Sequence, residues 1–389
     1  MKVFEESWIK SLEKRYDLTS KYTTPFIVRL ALDPIVSKER AKIEKWFQTL
    51  PEDVKPDILG RLRDKNSHQH FGAYYELVLY QFFKSIGYSV SIHPKLKEGE
   101  PDLLVTGKNL EKPTIIEIAT VFDDPDWTKA EQKVDMILDR LNSIKHYFFV
   151  SIMVHSEHIP EKIDYKRLIQ FVEKWLDSFD PNTTHTIQET EYEVDELKLT
   201  LSLIPKKPKQ KDPIVGGHML PARFVGTTQL RRMLEKKIKK YKSVKDLKLP
   251  FIIALTMIDM PAGETGLLNE LFGKVVVIIK RTPNGDPVST EDRRDFSGLF
   301  TPKPGLEGKP QNTRLSAVLI TRSRWLERGR ENEPAKRLHN FGVIYNPWAC
   351  NPSDHKIFEG YPQFVTISED KTGINLGWIN KEAEKPFDC

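Results

Sequence analysis

The sequence is poor in the residues that build several common classes of protein. Of 389 residues only Cys350 and Cys389 are cysteine, far apart and outside any CxxC pair, so neither a disulfide framework nor a cysteine zinc site is expected. Long apolar runs are also missing. The strongest, Leu249 to Ile258 and Val275 to Ile279, fall well short of the roughly 20 residues that span a bilayer. Met1-Lys2-Val3-Phe4-Glu5-Glu6 has no apolar signal core. No internal repeat or long low-complexity tract is present, and the Gly216-Gly217 pair lacks the rest of a phosphate loop. Together these absences predict a folded, soluble, cytoplasmic protein with no membrane partner.

Charge, by contrast, is plentiful. Sixty Lys and Arg against 55 Asp and Glu give a formal net charge of +5, which permits an anionic partner without requiring one. The length suits two modest domains, or one domain with large additions.

Apolar spacing then orders the chain. Residues 1–60 carry helical spacing, as in Ile43, Trp46 and Phe47, broken by Pro25, Pro34, Pro51 and Pro56. Phe71 to Ile86 is apolar on nearly every side and ends at Gly87, the pattern of a buried helix with a C-terminal glycine. Strands are expected at Tyr88–His93, Asp102–Thr106 and Thr114–Val121, then an amphipathic helix at Trp127–Ile144 and a buried strand at Tyr147–Val154. Helix, three strands, helix, strand predicts an α/β fold, a mixed central sheet flanked by helices, in which the last strand returns parallel to its predecessor.

Beyond residue 160 a helix at Asp164–Phe179, a strand at Leu197–Ile204, a basic helix at 228–242 and strands at 251–258, 274–280 and 315–320 are expected. The Lys/Pro stretch at 206–213 is the best candidate linker, although a long loop within one domain has the same composition. The expected organisation is a helical lead-in at 1–60, a core at 61–160 and an α/β extension at 161–389.

Three carboxylates stand in places that disfavour them. Glu76 is the only acid in the apolar run Phe71 to Phe83, where an ionised side chain costs several kcal/mol unless a cation compensates. Asp102 follows Pro101 at a strand margin. Glu117 lies within Thr114-Ile115-Ile116-Glu117-Ile118-Ala119-Thr120-Val121, otherwise a central strand. If their strands are neighbours, Asp102 and Glu117 converge, and oxygen ligands of this kind suit Mg²⁺ or Mn²⁺.

This order of Glu76 on a helix, Pro101-Asp102, then Glu117-Ile118-Ala119 resembles the PD-(D/E)XK nuclease superfamily. The wider run FGAYYELVLYQFFKSIGY…EPDLLV…IIEIATVF is similar to a group of uncharacterised bacterial members with an E-A-T-like third motif, as is RLSAVLI…GVIYNPWACNP near the C-terminus. The resemblance implies a restriction-endonuclease-like core at 61–160 and a metal-dependent nuclease with Glu76, Asp102 and Glu117 as ligands. DNA is the implied substrate and restriction or anti-phage defence the implied role. A homodimer is compatible with cutting both strands.

One position departs from the pattern. The family carries lysine two residues after the second acid, on the same strand face, and here that residue is Ala119. Lys133 is the first candidate for a displaced ammonium, with Lys129 and Lys97 behind it. The basic helix supplies Arg231, Arg232, Lys236, Lys239 and Lys240 as candidate phosphate contacts, against the default of a solvated charged face.

Other groups read more plainly. Asp123, Asp124 and Asp126 suit helix capping. His68, His70, His155 and His158 match no zinc pattern, and Phe341, Tyr345 and Trp348 read as core rings. Loss of the lysine leaves two further readings open, a degenerate nuclease fold that only binds nucleic acid, and an interaction scaffold that touches none.

Overall fold

The structure is a computed structural model that describes all residues except 17–19, 21, 98, 108–109, 123–124, 157–158, 208–209, 220–226, 242–247, 259–262, 283, 285–286, 304–307, 327–335, 371–372, 383–386 and 388–389. Helices α1 (Glu6–Glu13), α2 (Phe26–Leu32), α3 (Ser37–Gln48), α4 (Lys55–Leu62) and α5 (Ser67–Ser85) come first. Strands β1 (Ser89–Ile92), β2 (Leu103–Thr106) and β3 (Thr114–Val121) follow, then α6 (Pro125–Asn142), β4 (Lys145–His146), β5 (Phe148–Val154) and α7 (Tyr165–Leu176). Next are β6 (Gln188–Val194), β7 (Leu197–Pro205), β8 (Asp212–Pro213), β9 (Val215–Met219), α8 (Thr228–Lys240), β10 (Phe251–Met257) and α9 (Gly263–Phe272). The remainder is all strand apart from a short 3-10 turn: β11 (Val275–Arg281), β12 (Pro287–Arg294), β13 (Ala317–Leu326), β14 (Lys336–Tyr345), β15 (Gln363–Asp370) and β16 (Gly373–Ile379).

These elements form two compact units, each discontinuous in sequence. The first comprises Met1–Glu5, Pro34–Asp123 and Val225–Cys389, the second Glu6–Asp33 and Asp124–Phe224. The unit boundaries fall after Glu5, Asp33, Asp123 and Phe224. The 206–213 stretch lies inside the second unit, where the buried Lys206 ammonium donates to the carbonyls of His146, Asp212 and Pro213 at 2.8, 2.9 and 3.2 Å.

In the first unit an eight-stranded mixed sheet runs in the order β1-β2-β3-β10-β13-β14-β15-β16. This bears out the mixed α/β class with helices on the sheet. The parallel partner of β3 differs from the expected one. It is β10, with Glu117 opposite Ile253, and β13 continues the parallel run. The strand expected to return beside β3, observed as β5, belongs instead to the second unit's sheet, ordered β6-β7-β5-β9. That unit packs Leu197, Leu199, Leu201 and Leu203 of β7 against Val134, Ile137, Leu138 and Leu141 of α6 and against α7.

Helix α5 is buried because its sequence is apolar on nearly every side. The Asn66 side chain accepts from the His68 N–H at 2.9 Å and caps its start. Gly87, at φ +93°, turns the chain out after its end in a conformation that glycine adopts without a Cβ clash. One sheet face carries α5, with the rings of Phe82 and Phe341 stacked at 3.9 Å. The opposite face packs Ile115, Ala119 and Val121 of β3 with Ile253 and Leu255 of β10, under Leu230 and Leu234 of α8 and Leu267 and Leu271 of α9. By the two-residue period of a strand, Glu117 shares that second face. No helix among the described residues is long and apolar enough to cross a membrane.

Two histidines buried in this unit set an acid limit on its stability. Burial pushes His70 down to about 4 and holds His339 well below its ordinary value. Both are neutral in the fold and take up a proton more readily once unfolded. Their stabilising contribution is therefore complete above the unfolded value near 6.5 and is lost as pH falls from there toward 4. For His70 alone the loss is on the order of 3 kcal/mol. Thermal melts between pH 7 and pH 4 should show a falling midpoint that is shallower for His70→Gln, and identical slopes would contradict this account.

Candidate metal centre

The site grows from the antiparallel pairing of β2 with β3. Their register sets Leu103 opposite Ile116, so one step along the ladder Asp102 faces Glu117. The two carboxylates converge on one cation that the sequence reading did not select, Lys237 of α8. Its ammonium donates to Asp102 Oδ2 at 3.1 Å and to Glu117 Oε2 at 2.9 Å. The Ile118 N–H also donates to Asp102 Oδ2, at 2.6 Å, which fixes the aspartate to the strand that carries Glu117.

Glu117 is completely buried. Its second oxygen accepts from Lys240 Nζ at 2.5 Å and from the Tyr241 hydroxyl at 2.7 Å. Burial disfavours the charged Lys237 ammonium, but Asp102 and Glu117 outweigh it and raise its pKa. Burial, reinforced by Glu117, also drives the Tyr241 hydroxyl far above its ordinary value, so it remains a donor.

Glu76 projects from α5 and is held by Arg61 of α4 in a two-pronged pair, Nη1 to Oε1 at 2.6 Å and Nη2 to Oε2 at 2.7 Å. Arg61 keeps a second carboxylate, Asp57, at 2.7 Å. His93 Nε2 stands 3.1 Å from Glu76 Oε2, a contact that raises the histidine's pKa. One ligand atom each from Glu76, His93 and Asp102 lies within 4.8 Å of the others, a set that could hold a metal ion.

Of the three carboxylates expected from the sequence, Asp102 thus shares Lys237 with Glu117 and lies beside Glu76 and His93. The lysine that meets both Asp102 and Glu117 is Lys237, and the three lysines singled out from the sequence lie elsewhere among the described residues. Lys133 belongs to the second unit, where it donates to the Ile159 carbonyl at 3.0 Å and to Glu161 at 2.7 Å. Lys129 is exposed on α6, and Lys97 is exposed in the turn before Gly99. Lys237 had a readable signal. It falls between Leu234 and Tyr241 on the apolar stripe of α8, where a lysine needs a buried counter-charge.

The basic helix divides by face. Arg231 is committed to Glu235, to Glu270 and to the Ser297 carbonyl, and Lys240 to Glu117 and the Glu100 carbonyl. Arg232, Lys236 and Lys239, at i, i+4 and i+7, are exposed on one stripe. Of the plainer readings, Tyr345 is buried with its hydroxyl on Gln363, and Phe341 is core. His155 meets the Thr200 hydroxyl. Asp123, Asp124, His158 and the side chain of Asp126 lie outside the described residues.

The buried pair makes the site a stability element as well. Lys237→Met leaves Glu117 short of one counter-charge and should destabilise the first unit by about 3 kcal/mol. Adding Glu117→Gln should cost less than the sum of the single changes, with a coupling of about 1–3 kcal/mol. Urea denaturation of the four proteins measures this, and additive effects would show that the ion pair carries no net interaction. Compared with protein-family models, with curated proteins and with solved structures, the chain matches none.

Proposed function

We propose that this chain is a metal-dependent nuclease that hydrolyses phosphodiester bonds of nucleic acid, DNA in the first instance, on a restriction-endonuclease-like core made by α5, β1, β2 and β3. The observation that carries this reading is the position of Lys237 Nζ between Asp102 and Glu117. Ala119 leaves the strand without an ammonium, and α8 returns one to the same two carboxylates.

The donor chemistry fits a divalent ion. Two carboxylates and an imidazole converge within one coordination sphere's reach, and Glu76, His93 and Asp102 would hold the ion. When bound, such an ion polarises a phosphoryl oxygen and lowers the pKa of water. Lys237 supplies the fixed positive charge that meets charge developing on the phosphate. Glu117 orients Lys237, and Lys240 with Tyr241 holds Glu117 in turn. Arg232, Lys236 and Lys239 give the nucleic-acid backbone a row of cations on the exposed side of the same helix.

The internal neutralisation of Asp102 and Glu117 also supports a second reading, a catalytically silent nucleic-acid-binding protein whose carboxylates only fasten α8. Incubation with linear, circular and single-stranded DNA and with RNA, in Mg²⁺ or Mn²⁺, separates the two. The nuclease reading expects cleavage that Asp102→Ala abolishes. It expects Lys237→Ala to slow cleavage by about a hundredfold, the scale of one lost transition-state contact, and Lys133→Ala to cut like the parent. Binding without cleavage under any metal installs the second reading.

Binding itself has a salt signature. Each of Arg232→Ala, Lys236→Ala and Lys239→Ala should weaken binding evenly across sequences and reduce the slope of log K against log salt by about 0.9. Fluorescence anisotropy over a salt series reads this, and an unchanged slope in all three excludes the stripe as a backbone contact.

A further inference from the structure

Resting on the nuclease reading, we propose that the metal ligands are Glu76, His93 and Asp102, that Glu117 is a positioning residue for Lys237, and that the site prefers Mn²⁺ over Mg²⁺. This moves the ligand set away from the three carboxylates that the sequence selects, and the reason lies in how each lone pair is occupied. Glu117 is fully buried, and its oxygens already accept two ammonium groups and a hydroxyl at 2.5 to 2.9 Å. To ligate an ion through either oxygen, this fully buried carboxylate would have to give up an ammonium donor, at a cost of several kcal/mol.

His93 is set beside Glu76 and Asp102 by backbone geometry. It follows β1 at φ +46°, in the left-handed region that non-glycine residues seldom occupy. Its N–H donates to the Asp102 carbonyl at 3.0 Å, which extends the β1–β2 ladder by one residue and sets the imidazole beside Asp102. The Nε2 atom then lies 3.1 Å from Glu76 Oε2.

The three ligand atoms sit within 4.8 Å of one another. An ion about 2.2 Å from each ligand accommodates separations up to about 4.4 Å, close to that bound, and His93 and Asp102 are only half-buried. An ion at Glu76 would displace one Arg61 contact, Nη2 to Oε2 at 2.7 Å, while Nη1 keeps Oε1 and Nη2 keeps Asp57, so the guanidinium still orients the carboxylate from behind.

Ion preference follows from the donor atoms. Mg²⁺ favours an all-oxygen octahedron with several retained waters, whereas Mn²⁺ takes carboxylate oxygen and binds imidazole more readily than Mg²⁺ does. One nitrogen and two oxygens therefore favour Mn²⁺.

The test uses the whole chain with Mn²⁺ alone and reads the ion directly. Electron spin-echo modulation of bound Mn²⁺ should show ¹⁴N coupling in the parent and in Glu117→Gln, and none in His93→Ala. Calorimetry should find Mn²⁺ affinity reduced by at least about tenfold in His93→Ala, Mg²⁺ affinity changed by less than about threefold, and Mn²⁺ affinity in Glu117→Gln within about threefold of the parent. His93→Gln, which keeps the side-chain volume, covers the case in which the alanine variant fails to fold. Bound Mn²⁺ without ¹⁴N coupling in the parent overturns the assignment, as does a loss of affinity in Glu117→Gln that His93→Ala does not share. Absence of Mn²⁺ binding also overturns it. Cleavage supported by Mg²⁺ in any of those cases leaves the nuclease reading standing without His93.

Discussion

A carboxylate in the middle of a closed strand is the constraint around which the first unit is organised. Glu117 has no exposed surface, and an isolated charge there would be prohibitive in a low-dielectric interior. The compensation comes from one short span of α8, in which Lys237, Lys240 and Tyr241 all reach the same side chain. Those contacts fix the rotation of α8 about its axis. Leu230 and Leu234 consequently face the sheet, and Arg232, Lys236 and Lys239 face solvent. A single charge in the sheet thus decides which cations the surface keeps.

The same logic recurs at Glu76 at lower intensity. Glu76 is almost fully buried, and its guanidinium partner is shared with the exposed Asp57. This carboxylate is held by one guanidinium, whereas Glu117, with no exposed surface, is held by two ammonium groups and a hydroxyl. That fuller occupation separates a residue that fastens from one that can ligate.

Much of the local structure was legible in the sequence, and much of the assembly was not. Helix α5 and strands β1 to β3 follow from periodicity, which is a property of neighbouring residues. Glu76 and Glu117 were conspicuous because an acid in an apolar run breaks its own pattern. The partner of β3 was not legible. Strand β10 is an unbroken apolar run, and such runs carry no mark of which strand they join, so the nearer candidate β5 was favoured by sequence proximity. The second unit's N-terminal segment shows the same limit, since Asp139 of α6 holds the backbone of Tyr22 and Thr23 from over 100 positions away. Lys237 was readable from its angle on α8. His93 was not, because a backbone turn and a ladder contact give it its place.

The wiring of the site has a consequence for how the chain is made. The carboxylate of Glu117 and its counter-charge Lys237 are 120 positions apart, and most of the second unit is encoded between them. On the ribosome, Glu76, Asp102 and Glu117 emerge long before the helix that neutralises the last two. Until then β3 lacks both its parallel neighbour and the charge that lets Glu117 be enclosed. Closure of such distant contacts is slow compared with helix formation. The second unit therefore has time to fold as an independent body while the sheet of the first still waits for its centre.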